Sequence, residues 1–334
     1  MNILSPETKI AITGGAGYIG SFTTKYFQEH GYKNIVILDN FSTGHKDKCY
    51  ARYIEVDLLD KTRLSEIFAQ EKFEAVIHFA ALISVEESMV NPYRYFHHNI
   101  DSSLNLLDVM KDNFVKHIVF SSTCAVYGKP EQLPIAETTP LHPESVYAES
   151  KHMIESMIQW YHRLYGIQYA ILRYFNACGA AADGSNGEMH RPETHIIPSV
   201  LHKALTGEKM ILYGNDYPTP DGTCVRDYIH VEDLASAHVL ALQHSMEQQS
   251  SDIFNLGTGT GYSNLQIAQA VQTILKENGK NVDYSFGPRR AGDVPTLYAD
   301  STKAKTILGW EPHHTDIKTI VAEAYRWHIA QQGE

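Results

Sequence analysis

Short runs of apolar residues alternate with stretches of helical periodicity through the first half of the chain. The short runs predict strands buried on both faces. They lie at residues 9–13, 35–39, 53–57, 75–79, 118–121 and 169–173. The stretches between them predict helices at residues 18–30, 61–71, 92–111 and 146–165. This alternation indicates an α/β fold, a doubly wound parallel sheet covered by helices.

The pattern loosens after residue 174. Residues 176–195 and 213–223 are rich in Gly, Pro and polar side chains and predict loops that face a ligand. Further helices are predicted at residues 195–205, 231–244, 264–277 and 316–331, with strands near Met210, Ile253 and Val282. We therefore expect a larger lobe of residues 1–174 and a smaller C-terminal α/β lobe of residues 175–334, with some exchange of chain between them.

Composition and charge limit which partners the protein can bind and where in the cell we expect it. The 334 residues carry a net charge of −11 with neutral histidines, which argues against nucleic acid because that binding depends on clustered Lys and Arg. The longest apolar stretch, residues 75–85, contains His78 and is shorter than the roughly 20 residues of a membrane span. No basic and apolar leader opens the sequence, so we expect a cytoplasmic protein without a membrane partner.

Cysteine and histidine usage predicts neither a disulfide framework nor a metal site. The four cysteines are Cys49, Cys124, Cys178 and Cys224, and they form no CxxC pair. The 18 histidines show no ligand cluster. We expect reduced thiols and no metal.

A glycine-rich turn follows the first predicted strand and opens the first helix. Gly14, Gly17 and Gly20 permit a tight turn and let a pyrophosphate approach the helix N-terminus. Asp39 ends the second strand about 20 residues later, where an acid accepts both ribose hydroxyls and repels a 2′-phosphate. The pattern favours NAD over NADP, although an ordinary strand–helix turn and an Asp that only opens a turn remain alternatives.

Tyr147 and Lys151 stand four residues apart at the start of a predicted helix, so they share one helix face. A phenol has a pKa of about 10, and a tyrosine base near neutrality needs its phenolate stabilised by roughly 4 kcal/mol. The Lys151 ammonium would supply part of this. Residues 121–123, Ser-Ser-Thr, leave the carboxyl end of a buried strand, where ligands sit in open α/β sheets.

In this order and spacing, these motifs resemble the extended short-chain dehydrogenase/reductase superfamily, and they imply a sheet of Rossmann type. The second half is similar to the UDP-glucose 4-epimerases, also called UDP-galactose 4-epimerases. Four segments carry that similarity: residues 172–176, 192–198, 216–234 and 289–293. The resemblance runs essentially from end to end.

The resemblance implies NAD-dependent interconversion of UDP-glucose and UDP-galactose. Tyr147 would take the proton of the 4′ hydroxyl while hydride passes from C4 to NAD, giving a 4-keto sugar. The sugar would then turn about its diphosphate and recover the hydride on its other face. The family also implies a homodimer that packs residues 92–111 and 146–165 as a four-helix bundle.

Site residues follow from the same resemblance. The catalytic residues would be Tyr147, Lys151 and Thr123. The cofactor-binding residues would be Gly14, Gly17, Tyr18, Ile19, Gly20, Asp39, Asn40, Asp57, Leu58, Phe79, Ala80, Ala81, Asn99, Lys151 and Tyr174. The substrate-binding residues would be Thr123, Tyr147, Asn176, Arg226, Arg289, Asp293 and Leu297. A surface ion pair remains an alternative for each arginine.

Two positions differ among the resembling proteins. Some carry a lysine at Ile83 that reaches the cofactor pyrophosphate, so retention of NAD is less assured here. At the position of Leu297 a tyrosine restricts the sugar to glucose and galactose, so leucine predicts acceptance of UDP-N-acetylglucosamine and UDP-N-acetylgalactosamine as well. Tyr298 filling the space instead is the alternative.

Three other functions remain open. Pentose or uronic-acid 4-epimerases share the residues that would bind the nucleotide. A nucleotide-sugar 4,6-dehydratase needs an acid/base pair after Thr123, where this chain has Cys124 and Ala125. A non-catalytic dinucleotide sensor would lose Tyr147 and Lys151, and both are present.

Overall fold

The computed structural model describes residues 4–190, 193, 195–290 and 293–332. Residues 192, 194, 291 and 292 of the quoted segments lie outside this range. A seven-stranded parallel sheet forms the larger lobe. Its strands are β1 (Ile10–Thr13), β2 (Ile35–Asp39), β3 (Arg52–Glu55), β4 (Ala75–His78), β5 (His117–Thr123), β6 (Gln168–Tyr174) and β10 (Asp252–Leu256). They lie in the order β10-β6-β5-β4-β1-β2-β3.

Helices cover both faces of this sheet, because its central strands carry apolar residues on both sides. Helices α1 (Tyr18–Glu29) and α8 (Val231–Gln248) pack on one face, and α2 (Lys61–Glu71), α5 (Ser102–Asp112) and α6 (Val146–Tyr165) pack on the other. Strands β1, β2 and β4 are buried along their whole length. The predicted doubly wound α/β fold is confirmed.

The predicted helix at residues 92–111 is present, but it consists of three consecutive helical segments. A short helix α3 (Val85–Val90) precedes α4 (Pro92–Phe96), which passes through a π-helical turn, His97–Asp101, into α5. The turn places Asn99 in the interior, where it is fully buried. Such turns within α-helices are frequently found at functional sites.

The smaller lobe contains two small sheets. Strands β7 (Asn176–Cys178), β9 (Val225–His230), β11 (Gly261–Ser263) and β13 (Thr296–Leu297) form one, and β8 (Met210–Tyr213) pairs with β12 (Tyr284–Gly287) in the other. Helices α7 (Ile196–Thr206), α9 (Asn264–Glu277) and α10 (Ile317–Gln332) pack around a core that includes Leu201, Val271 and Val321.

Some predicted strands differ from the observed ones. The prediction that β3 is buried on both faces is wrong: it is an edge strand with exposed side chains. The strand predicted near Val282 begins at Tyr284. Strand β10 comes from the second half of the chain and pairs with β6, so the sequence division at residue 174 stays a prediction. No helix in the described part of the chain is long and apolar enough to cross a bilayer.

Candidate active site

The turn between β1 and α1 carries the three motif glycines. Gly14 has a φ of +71°, and a Cβ there would lie 2.6 Å from the backbone nitrogen of Ala80. A Cβ on Gly20 would lie 2.3 Å from the carbonyl oxygen of Gly14. The nearest atom to a Cβ on Gly17 is that same carbonyl oxygen, at 3.3 Å. Gly14 therefore lets the turn approach the loop that follows β4, and Gly20 closes the turn on itself. Gly17 leaves the N-terminus of α1 approachable.

The first turn of α1 can receive an anion. Tyr18, Ile19 and Gly20 provide N–H groups at the positive end of the helix, where no earlier turn supplies carbonyl acceptors. The Tyr18 hydroxyl donates to the carbonyl oxygen of Gly179 at 2.7 Å. The side chain therefore points to the smaller lobe and leaves the backbone of this turn to a phosphate.

Asp39 lies at the end of β2 with its carboxylate buried. One oxygen accepts from the Ala16 N–H at 3.0 Å and the other from the Phe41 N–H at 2.8 Å. Burial raises the pKa of Asp39, and these two hydrogen bonds oppose the rise. The carboxylate is thus held in one orientation beside the glycine turn.

Asn40, Asp57 and Leu58 lie next to one another at the same edge of the sheet. The Asn40 side-chain amide donates to the Asp57 carboxylate at 3.0 Å. Leu58 is buried, and its carbonyl oxygen accepts from the Asn105 side chain at 3.0 Å. The structure brings these predicted residues together with Asp39, since Asp39 and Glu55 are paired in register on β2 and β3.

Asn99 fixes the loop that follows β4, which includes Phe79, Ala80 and Ala81. Its amide nitrogen donates to the carbonyl oxygen of Leu82 and to Ser150 Oγ, each at 3.1 Å. Its amide oxygen accepts from the Leu82 N–H at 2.8 Å. Asn99 therefore ties this loop to α6.

Tyr147 lies in the first turn of α6, and Thr123 is the last residue of β5. The Thr123 hydroxyl favours the phenolate and lowers the pKa of Tyr147, but burial of the phenol has the larger effect and raises that pKa well above its usual value. The sequence argument expected the lysine to lower it. The direction is the opposite here, because desolvation outweighs the favourable contacts around the phenol.

Lys151 is buried one helical turn after Tyr147. Its Nζ donates to the carbonyl oxygen of Ser121 at 2.9 Å. Burial lowers the pKa of Lys151 to about 7, and the Glu155 carboxylate opposes this change. Ser121 Oγ also hydrogen-bonds the Tyr174 hydroxyl, whose pKa burial raises to about 12. Because the pKa of Lys151 lies near neutral pH, a change in the charge around Lys151 can alter its protonation.

A buried ion pair beneath these residues was missed by the sequence analysis. Arg173 Nη2 lies 2.5 Å from Glu155 Oε2, and Arg173 Nε donates to Glu155 Oε1 at 3.0 Å. Ser122 Oγ donates to Glu155 Oε1 at 2.5 Å. The ion pair thus joins β5, β6 and α6. Arg173 is the charged residue in an otherwise uncharged predicted strand, and that was the signal for a buried partner.

Arg226 and Asn176 come from neighbouring strands of the smaller lobe. Arg226 donates to the carbonyl oxygen of Val294 at 2.7 Å and to the Asp293 carboxylate at 3.4 Å, and its side chain is 16% exposed. The Asn176 side chain donates to the carbonyl oxygen of Asp227 at 3.1 Å. Arg226 and Asp293 are therefore held together.

Arg289 lies at the surface. Its Nε donates to the Asp216 carboxylate at 2.6 Å, and its guanidinium lies 4.3 Å from the ring centroid of Tyr217. This is the surface ion pair that the sequence analysis left open. Ile83, where some similar proteins carry lysine, is also exposed.

Leu297 connects the two halves of the candidate site. It is paired with Arg226 in the register of β13 and β9. It also packs against a buried apolar cluster that includes Val126 and Phe175, which Cys124 contacts as well. Tyr298 follows the last residue of β13, and its carbonyl oxygen accepts from the Ile135 N–H at 3.0 Å.

Comparison with known proteins assigns the chain to one group. Residues 10–257 match the NAD dependent epimerase/dehydratase family. The UDP-glucose 4-epimerase of Lactobacillus helveticus is 46% identical over 323 residues, covering 96% of this chain and 97% of that protein.

Solved structures support the same family assignment. The UDP-glucose 4-epimerase of Brucella ovis in complex with NAD superposes with a TM-score of 0.90 at 42% identity, covering 95% of this chain and 97% of that one. The enzyme of Bifidobacterium longum in complex with NAD+ and UDP gives a TM-score of 0.90 at 36% identity, covering 97% and 99%. Similarity therefore extends over both lobes.

Proposed function

The chain belongs to the NAD-dependent epimerase/dehydratase family, among its UDP-glucose 4-epimerases, and we propose that it interconverts UDP-glucose and UDP-galactose through a 4-keto sugar. The observation that carries this proposal is the placement of Thr123, at the end of β5, and Tyr147, in the first turn of α6, beside buried Lys151 at the carboxyl end of the large sheet. Ligands of open α/β sheets bind at this edge.

The larger lobe fits NAD. The approachable backbone at Gly17 and the N-terminus of α1 suit its pyrophosphate, and the fixed carboxylate of Asp39 suits a ribose with free hydroxyls. Asn40, Asp57 and Leu58 would border the adenine. When bound, NAD supplies the hydride acceptor and donor that inversion at C4 requires.

Proton transfer falls to Tyr147. Its oxygen would accept the proton of the 4′ hydroxyl and later return one, while the Thr123 hydroxyl bonds the same sugar oxygen. Because burial disfavours the lone phenolate, the protein must compensate with positive charge nearby. Lys151 lies one turn away on the same helix and can provide that charge when it is protonated.

Arg226, Asn176, Arg289 and Asp293 would hold the UDP group. A guanidinium forms strong, directional hydrogen bonds to phosphate. Strong anchorage of UDP with weak contacts to the hexose suits a reaction in which both epimers must occupy the same site. Arg226 is already oriented by Val294 and Asp293, so less conformational freedom is lost on binding.

We expect the purified protein to convert UDP-galactose to UDP-glucose without added NAD, because each catalytic cycle returns its hydride. The measurement is coupled detection of UDP-glucose in reducing buffer, since the proposal places the enzyme in the cytoplasm, where thiols stay reduced. Protein stripped of nucleotide is the control and should recover with NAD. Activity that depends on added NADP would contradict the cofactor assignment.

The same assay separates the competing functions. A 4,6-dehydratase would release water and form a 4-keto-6-deoxy sugar, but Cys124 and Ala125 follow Thr123, and burial raises the pKa of Cys124 to about 12. A thiol held protonated is a poor base. UDP-xylose and UDP-glucuronate, tested beside the hexoses, distinguish pentose and uronic-acid epimerases. A dinucleotide sensor would turn over none of them.

We also propose that Leu297 lets the site accept N-acetylated sugars. Leu297→Tyr should lower kcat/KM for UDP-N-acetylglucosamine by about ten- to a hundredfold and change that for UDP-galactose little, because overlap with the acetamido group costs roughly 1–3 kcal/mol. Tyr298→Leu is the matched control and should leave the ratio unchanged. A parent enzyme without N-acetyl activity, or a ratio that follows Tyr298 instead, would place the determinant elsewhere.

A homodimer is the third part of the proposal. Helices α4, α5 and α6 carry exposed apolar side chains, at Tyr93, Leu104, Met153, Trp160 and Leu164. Residues 153, 160 and 164 share one helix face by their spacing. An apolar stripe of this kind favours packing against the same helices of a second copy.

Replacing Trp160 and Leu164 with Glu should convert the dimer to a monomer, because four like charges would meet at a twofold interface. Sedimentation velocity would show the halved mass. Phe286→Glu, an exposed aromatic of the smaller lobe, is the control and should leave the mass unchanged. A parent protein that sediments as a monomer would disprove this arrangement.

A further inference from the structure

A loop of the smaller lobe gathers metal-ligating side chains outside the site described above. Glu188, His190, Glu193 and His195 each offer one ligand atom, and these atoms all lie within 4.8 Å of one another. Their spacing is E-x-H-x-x-E-x-H. The sequence analysis did not group these residues, because it considered cysteine and histidine spacing without carboxylates.

The two imidazoles converge on one carboxylate. His190 Nδ1 lies 2.9 Å from Glu188 Oε1, and His195 Nδ1 contacts the same oxygen. His190 Nδ1 is buried and, among the described residues, has no hydrogen-bond partner of good geometry. A single cation requires several ligand atoms that converge on one point. Without a cation, the same arrangement leaves His190 with a poor hydrogen bond.

We propose that these four side chains bind one Zn²⁺ ion. Two imidazole nitrogens and two carboxylate oxygens form a four-ligand set that suits tetrahedral zinc. Mg²⁺ and Ca²⁺ instead take oxygen ligands in sets of about six or more. Glu188 and Glu193 also balance the two charges of zinc, which matters because Glu188 is buried.

The surroundings orient the ligands. Glu193 Oε1 accepts from the His195 N–H at 2.9 Å, which fixes that carboxylate relative to the next ligand. The carbonyl oxygen of Glu188 accepts from Trp327 Nε1 at 3.0 Å. The ring of His190 meets that of Tyr18 edge to face, with centroids 6.3 Å apart. Supporting contacts of this kind keep the ligands of a metal site in place.

The position of the loop indicates a structural role for the ion. Trp327 belongs to α10, Tyr18 begins α1, and His195 immediately precedes α7. In the same loop, Asn186 donates to Ser21 Oγ of α1 at 2.9 Å. A set of four protein ligands leaves no open position for catalysis. The zinc would therefore hold the smaller lobe against the helix that begins at the glycine turn.

A second cluster offers a natural comparison. His230, Glu232 and His314 also present ligand atoms close together. However, His230 Nδ1 accepts the Glu232 N–H at 3.2 Å as the cap of α8, so its Nε2 carries the proton and faces Glu323 at 3.2 Å. Both ring nitrogens of His230 are thus taken up by the helix cap and by a carboxylate outside the cluster, whereas Nδ1 of His190 and of His195 both face Glu188, a member of the proposed site. This cluster is the control for the proposed site.

Elemental analysis of the full-length protein, purified without a metal-affinity tag, tests the proposal. We expect about one zinc per chain, loss of zinc on dialysis against a chelator, and a lower melting temperature that ZnCl₂ restores and MgCl₂ does not. Less than a tenth of that zinc content, together with no saturable binding of ZnCl₂ to the dialysed protein in calorimetry, would overturn it.

Variants assign the zinc to its ligands. His195→Ala should lose zinc, and His314→Ala should retain it. If His195→Ala does not fold, calorimetric titration of the dialysed parent protein with ZnCl₂ still decides the question, with one site per chain expected. Zinc retained in a folded His195→Ala, or lost in His314→Ala, would refute the assignment. None of these measurements depends on epimerase activity, so they stand apart from the proposed function.

Discussion

Tyr147→Phe should lower kcat for the epimerisation of UDP-galactose by about 10²–10⁴-fold, the range that a positioned acid/base group contributes. The change removes the phenol oxygen of Tyr147 and leaves the ring to fill the same space. Binding of UDP, measured by calorimetry, should change little, because Arg226 and its neighbours lie on the other lobe.

Tyr161→Phe is the matched control, since it makes the same change on the same helix and should leave kcat unaltered. Thr123 provides a second comparison: Thr123→Ser keeps a hydroxyl and should be mild, whereas Thr123→Val removes it and should be severe. Near-normal turnover in the Tyr147 variant would assign proton transfer to another group, and equal rates for the two Thr123 variants would show that this hydroxyl plays no part.

Arg226→Ala should weaken the binding of UDP by roughly a hundredfold or more, because a hydrogen bond to a charged group is worth about 1.5–3 kcal/mol and a guanidinium can make two to a diphosphate. The substitution also leaves the Asp293 carboxylate without the contact that it has now. The effect should appear in the dissociation constant of UDP from calorimetry, with a smaller change in kcat.

Three variants make the interpretation of Arg226 firm. Arg63→Ala removes a surface arginine paired with Glu66 on α2 and should leave UDP binding unchanged. Arg226→Lys keeps the charge without the planar fork and should give an intermediate loss. Arg289→Ala, from an exposed pair with Asp216, should cost less than Arg226→Ala. Unchanged affinity in a folded Arg226→Ala protein would make this arginine purely structural.

The larger lobe was predictable because its strands are buried on both faces. Residues 10–13, 35–39 and 75–78 form continuous apolar or nearly apolar runs, and little else accommodates such runs between helices. Strand β3 differs because it lies at the edge of the sheet. Most of its side chains are exposed to water there, so they need not be apolar. The residues of a strand do not by themselves show whether it lies at the centre or at the edge of the sheet.

The smaller lobe was harder to predict, for a different reason. Strands β7, β11 and β13 are only two or three residues long, and β9 carries Arg226 and Asp227, so no apolar run marks them. Their pairing depends on residues far along the chain, such as the Asp227 carboxylate, which accepts the backbone N–H groups of Thr258, Gly259 and Ala299. Local pattern cannot reveal such distant partners.

In the candidate site, the sequence indicated the residue types and their grouping at one sheet edge. It did not indicate their electrostatics. Whether Lys151 lowers the pKa of Tyr147 depends on how far each is removed from water, and burial is a property of the whole fold. The Glu188–His195 cluster was missed because its ligands lie in a loop with no periodicity to draw attention to them.

The pairing of β10 with β6 has a consequence for the synthesis of the protein on the ribosome. When residues 1–174 have emerged, β6 is still an edge strand, although Ile171 and Leu172 are completely buried in the finished molecule. The face later covered by α8 is bare as well. The sheet of the nascent chain therefore keeps one exposed apolar face and one unpaired edge while about 80 further residues are translated. An unpaired apolar edge is a template for aggregation. Premature termination near residue 200 would release a fragment that chaperones and proteases must clear, rather than a stable dinucleotide-binding domain.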